Sequence, residues 1–353
     1  MLFPYQYIDH PMNKMQEYID YIFYEVWCKA PAFEYDIELF DGNTELKEII
    51  TAFHYTEPKG AEFFVKGIQT IFEIFKNLDP NQMDQMRNWY LSNNHIEALC
   101  KQAPGVDPLT YEEIAYRNGR LSEELKGFFV GLYSEAFLSL QVLSEKIGRI
   151  GDHYKEFVRN NANRKCPFCG LSSLDGEYDH TREAYDHYLP KSKYPFSSIN
   201  FRNLAPICHK CNSSGNKGAK DPLHDGSGNR RKAFYAYNAD TYGLEISLQI
   251  CSIEIDNLTP QDINIQFGPA ALREEISTWN ELFSIEERYK AVCCSAEGQY
   301  WVQQVREANE NYGLAPRDFL QGKLRESVRK PYQETNFLRK PFLEACDALH
   351  IFD

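Results

Sequence analysis

CPFCG at residues 166–170 and CHKCNSSGNK at 208–217 bracket the stretch that decides how this 353-residue chain folds. Each holds a Cys-x-x-Cys knuckle, Cys166 with Cys169 and Cys208 with Cys211, and 38 residues lie between the two. Doubled pairs of this kind bring four thiolates to one tetrahedral zinc. A closed four-sulfur site leaves no position for water, so the ion is structural. The segment needs such a staple: from about 160 to 230 helical periodicity vanishes, and Gly, Pro, Ser, Asn and Cys dominate. That composition cannot bury a large apolar core, and zinc ligation supplies the missing folding energy. Cys28, Cys100, Cys251, Cys293, Cys294 and Cys346 lack the spacing and read as ordinary thiols.

Outward from this centre the pattern changes on both sides. Over residues 1–157 apolar positions recur every three or four residues, predicting helices around 12–29, 43–55, 60–77 and 80–101, with breaks at Asp79-Pro80 and Ala103-Pro104-Gly105. Phe129, Leu132, Tyr133, Ala136, Phe137, Leu140, Leu143, Ile147 and Ile150 form one stripe, read as a single helix starting near Ser122. Beyond the centre, residues 242–250 and 262–267 alternate like two strands, and helices are expected over 271–311 and 316–350. The fold class is therefore mainly α with a small zinc-stabilised module. The expected division is a helical regulatory or assembly region at 1–157, the module at 158–230, and an α+β region at 231–353.

Composition narrows the function. Apolar residues make up 43% and charged residues 25%, with no low-complexity tract, which describes a globular protein. No stretch of about 18 apolar residues and no secretory leader is evident, so no membrane role and a cytoplasmic location are expected. The net charge of −13 argues against a polyanionic partner, yet it conceals a reversal. From Arg159 to Lys232 there are 13 Lys/Arg against 7 Asp/Glu, a net of +6, which leaves −19 elsewhere. A basic centre between acidic flanks suggests a module that faces nucleic acid.

Tyr-Asp-His occurs twice in that centre, at Tyr178-Asp179-His180 and Tyr185-Asp186-His187. The second copy continues into Tyr188-Leu189-Pro190-Lys191-Ser192-Lys193, with Asn203-Leu204 before the second knuckle and Asn212 directly after it. From Cys166 to about Asp225 this arrangement resembles the HNH nuclease family. Its treble-clef-like ββα-metal motif has an Asp-His pair on a first strand, a proline shortly after, an Asn-Leu before the second knuckle, and a final His or Asn opening a helix. In style the match is similar to the PtuB-like HNH proteins of bacterial antiphage defence. "YDHYLPKSKYP" carries that likeness, together with "TWNELFSIEERY" at 278–289, similar to a Trp…Phe…Arg-Tyr helix that follows their nuclease motif. The long acidic N-terminal region departs from their compact plan.

The chemistry suits these residue types. A neutral imidazole can take a proton from water near neutral pH, which fits His187 as general base. Asp186 and Asn212 offer hard oxygen ligands for one catalytic Mg²⁺ or Mn²⁺, which would neutralise phosphate charge. Resemblance implies that Asn203 is a supporting residue fixing the loop that orients His187, and not a ligand. Lys191, Lys193, Arg202 and Lys217 are candidate phosphate contacts. Asp179-His180 lacks the downstream register and reads as a surface pair. The expected function is a metal-dependent HNH endonuclease acting on DNA, with RNA not excluded, serving antiphage defence; the acidic flanks would mediate self-assembly or contact with a sensor or ATPase partner. The alternative is a zinc-stabilised module that binds nucleic acid or protein without cutting it. Asp186, His187, Asn203 and Asn212 separate the two, because a binder needs no base and no hard oxygen ligands.

Overall fold

Local sequence signals set most of the helix starts. Asp79 closes a capping box with Gln82 ahead of Pro80–Asn94, Thr110 does the same with Glu113 ahead of Tyr111–Arg117, and Asn118 caps Gly119–Leu132. The computed structural model describes residues 1–56 and 58–353. Its N-terminal part comprises helices at Lys14–Tyr21, Thr44–Thr56, Glu62–Phe75, Pro80–Asn94 and Gly119–Leu132, with shorter ones between and after them. Glu62–Phe75 and Gly119–Leu132 pack face to face: Phe64 stacks on Phe128 at 5.6 Å, and Gly67 lets the Phe128 ring approach its backbone. Trp27 lies fully buried beside them and donates its indole N–H to Ile68 O at 2.9 Å.

The long stripe from Phe129 to Ile150 is not one helix. The chain turns at Tyr133 (ψ 52°), Ser134 caps a new turn at Glu135–Leu138, and Gly148 takes φ +75° before Ile150–Asn160 begins. Capping by Ser134 and the positive φ of Gly148 break the rod while each piece still buries its share of the stripe. Ser122 is not the start either; it lies buried inside its helix and donates to Tyr111 O.

In the centre, β1 (Ala184–His187) and β2 (Leu204–Ile207) form an antiparallel pair in which Asp186 faces Ala205 and His187 faces Leu204. A four-residue helix, His209–Asn212, follows and packs on β1. The N-terminal segment threads this centre. Leu2 donates to Pro167 O, Tyr5 N to Ala236 O, and the Tyr5 hydroxyl to Pro206 O at 2.8 Å. In the C-terminal part β3 (Glu245–Ile250) pairs antiparallel with β4 (Ile263–Gly268), as the alternation predicts. Helix Asn336–Ala348 covers β3, while Arg273–Phe283 and Ile285–Cys293 lie against β4. One connected set of buried side chains, from Met1 to Phe352, runs through all three parts and includes the four knuckle cysteines. Among the described residues no helix is long and apolar enough to cross a membrane.

Candidate active site and metal centre

Cys166, Cys169, Cys208 and Cys211 are all buried, and their sulfurs lie within 4.8 Å of one another. That is the donor set and the spacing that could hold a structural zinc ion. Two backbone bonds shape the first knuckle, Gly170 N to Cys166 O at 2.6 Å and Cys166 N to Ser172 O at 3.0 Å. The N-terminal Leu2 adds a bond to Pro167 O, and the helices after β4 support both knuckles. Trp279 donates to Phe168 O at 2.6 Å, Tyr289 to Cys169 O at 2.9 Å, and the buried Arg288 guanidinium to Cys211 Sγ at 3.1 Å. A cation beside thiolates offsets their negative charge, so the Trp…Arg-Tyr pattern of 278–289 acts on the ligands from outside.

Asp186 and His187 are successive residues at the end of β1, the first buried and the second partly buried. Asp186 is 5% exposed and its Oδ2 has no hydrogen-bond partner among the described residues. The nearest charge is the Lys217 ammonium, 3.6 Å away on a side chain that is wholly buried. Burial pushes the Asp186 carboxyl pKa up and Lys217 opposes the shift; burial likewise pulls Lys217 down while Asp186 opposes it. Each charge thus favours the ionised form of the other against the cost of burial.

The partly buried His187 ring has its Nε2 at 2.9 Å from Ser198 O. A carbonyl can only accept, so Nε2 carries the proton and Nδ1 keeps its lone pair. Burial, with Lys191 and Lys217 nearby, lowers the His187 pKa to about 3, which keeps the imidazole neutral. Tyr133 stands perpendicular to the ring with centroids 4.6 Å apart.

Asn203 is buried and is used completely. Its Oδ1 accepts from Leu189 N at 2.7 Å, and its Nδ2 donates to Leu189 O and Ser197 O, both at 3.1 Å. These bonds close the loop from Leu189 to Ser197, and the next residue supplies the carbonyl that fixes His187. Asn212 ends the short helix on β1, and its side-chain amide has no hydrogen-bond partner among the described residues.

The four candidate phosphate contacts lie in different surroundings. Lys191 reaches Tyr133 O at 3.3 Å and Val130 O at 3.4 Å, the uncapped end of Gly119–Leu132. Lys193 pairs with Asp221 at 2.6 Å, and the exposed Arg202 lies over the Tyr7 ring at 4.3 Å. Lys217 is inside, beside Asp186. Asp179 accepts from Gly176 N and Arg164, and His180 is exposed.

Three contributors escape sequence reasoning: the Ser198 carbonyl, the Tyr133 ring, and the Lys217 partnership with Asp186. A backbone carbonyl leaves no trace in residue identity, and Tyr133 sat in a stripe read as core. Lys217 had a signal, since it follows the second knuckle by six residues, but nothing in the sequence marked it as buried.

A stretch of 60 residues is 42% identical to the Septu protein PtuB of Bacillus thuringiensis, covering 17% of this chain and 21% of that protein. The chain thus matches about a fifth of the length of its curated relative. No family model and no solved structure matches it.

Proposed function

We propose that the chain is a metal-dependent HNH endonuclease that hydrolyses phosphodiester bonds of DNA in antiphage defence. The observation that carries the reading is the Asp186–His187 pair on β1, with a neutral imidazole tied through Nε2 to Ser198 O and a buried carboxylate oxygen left without a donor. A module that only binds has no use for either feature. The 60-residue likeness to a Septu protein supports the defence role.

His187 Nδ1 takes the proton of the attacking water, and Asn203 holds the loop that keeps the ring in place. Asp186 Oδ2 and the Asn212 amide oxygen are the groups that would hold one Mg²⁺ or Mn²⁺. The fit rests on the open hydrogen-bonding capacity of Asp186 Oδ2 and on the hard oxygen character of both groups. When bound, the ion would neutralise charge on the scissile phosphate and the leaving oxygen. The Lys217 ammonium favours the ionised form of Asp186, while Lys191 and Arg202 supply cations for flanking phosphates. Cys166, Cys169, Cys208 and Cys211 would hold a zinc ion that ties the first knuckle to the short helix after β2, and the acidic flanks serve self-assembly or a sensor partner.

The test is incubation of the purified chain with plasmid, single-stranded DNA and RNA, each with Mg²⁺, Mn²⁺ or chelator. Metal-dependent cutting of DNA is expected. Binding without cleavage in every combination would favour the zinc-stabilised binding module.

A further inference from the structure

Beside His187 the surface opens into a cavity of about 490 Å³. Its walls are the turn from Tyr133 to Ser139, the start of helix Ile150–Asn160, and Arg182 just before β1. Arg149, Lys155 and Arg182 line it, all exposed and none in an ion pair among the described residues. Several lysines and arginines of the basic centre, by contrast, are already in ion pairs: Lys193 with Asp221, Lys217 with Asp186, Arg231 with Glu281, Arg159 with Glu177. Tyr133 connects the cavity to the site, because its ring lines the one and stands against His187 in the other. Its hydroxyl has no partner among the described residues.

Resting on the nuclease reading above, we propose that this groove is the path of a single polynucleotide strand, with Arg149, Lys155 and Arg182 as its phosphate contacts and Tyr133 as the surface that seats a base next to the cut. Three arguments favour one strand over a duplex. The space is that of a ligand pocket, of order 300–1,000 Å³, into which a base and its phosphates fit and a double helix does not. The His187 ring is partly buried behind Tyr133, so the scissile phosphate has to enter, which an unpaired strand does at low cost. Finally, Glu135 and Asp152 stand on the same rim, and the flanks are strongly acidic. Three cations can offset one strand against that field but not a duplex, whose axial charge density is about twice as high. Cations along a backbone together with an aromatic platform are what single-strand binding uses. The acidic N-terminal region is then one wall of the substrate path.

The experiment measures fluorescence anisotropy of a labelled 20-nucleotide DNA strand and of its duplex, with the full-length His187→Ala chain so that nothing is cut. The same is done with Arg149→Ala, Lys155→Ala and Arg182→Ala combined in that background. The single strand is expected to bind at least about tenfold more tightly than the duplex, and the triple variant to flatten its log–log salt slope by about 2, as expected for three lost phosphate contacts. Duplex bound as tightly as single strand, or an unchanged slope in the triple variant, would overturn the groove. Failure of the nuclease reading is distinguished by the wild-type cleavage assay, which does not depend on these three residues being the contacts.

Discussion

Lys217 and Asp186 share an enclosed space, and a charge buried there is tolerable only while its partner is present. Lys217→Met leaves a carboxylate with no compensation. It is expected to cost about 3–5 kcal/mol in urea unfolding at pH 7. Adding Asp186→Asn should recover much of the loss, and additive losses in the double variant would show that the two do not interact. Asn203 is a different kind of residue: three bonds from one amide hold both ends of a loop. Asn203→Ala strips Leu189 N–H of its partner inside the protein, worth about 1–3 kcal/mol. Cleavage should fall further than that loss of stability explains, because Ser198 O then no longer fixes His187. The places of four candidate residues can be read off the structure: Asp186 and His187 on β1, Asn203 in the loop before β2, and Asn212 at the end of the short helix and not at its start. The four cysteines do converge. What was not legible was burial. Lysines in a basic segment suggest phosphate contacts, and only packing reveals that one is inside and another covers a helix end.

Among elements, the two knuckles depend on helices that lie far along the chain. Arg288, Tyr289 and Trp279 reach the first knuckle and Cys211 from Arg273–Phe283 and Ile285–Cys293. Groups of this kind around metal ligands are worth roughly 10–100-fold in metal affinity. Arg288→Leu should therefore release zinc to a chromogenic chelator at least about tenfold faster than the wild type; equal rates would mean that the guanidinium is mere packing. Helix Ile150–Asn160 meets β1 through His153, whose Nδ1 bonds the Tyr185 hydroxyl and whose ring lies 5.1 Å from that of His10. Burial, with His10 adding to it, lowers the His153 pKa to about 3. The unfolded chain takes up a proton there below about pH 6.5 and the folded chain does not, so stability present at neutral pH is lost as pH falls from 6.5 toward 3. His153→Phe should reduce this slope by up to about 1.4 kcal/mol per pH unit, read from urea midpoints between pH 7 and 5. Strands β3 and β4 were readable because alternation survives in a half-exposed sheet. The stripe from Phe129 to Ile150 misled because periodicity reports which face is buried and not whether the axis continues. Caps and a positive-φ glycine decide that.

For the whole molecule, one buried cluster joins the N-terminal helices, the central hairpin and the C-terminal layer. The N-terminal segment is bonded to Pro167, Pro206 and Ala236, and the C-terminal helices support the knuckle cysteines. A fragment covering 158–230 therefore lacks most of what surrounds its cysteines. It should show no cooperative thermal transition even with zinc, whereas the full chain unfolds as a unit. The cysteine spacing pointed to a four-sulfur cluster but could not show that distant parts surround it. The central claim concerns one imidazole, and the most direct measurement compares DNA cleavage by His187→Ala and His180→Ala in the same metal and salt. The account predicts a loss of at least about 100-fold for His187→Ala, the usual size of general-base help, and a small effect for the exposed His180. Equal losses, or a His187→Ala chain that still cuts at the wild-type rate, would contradict it.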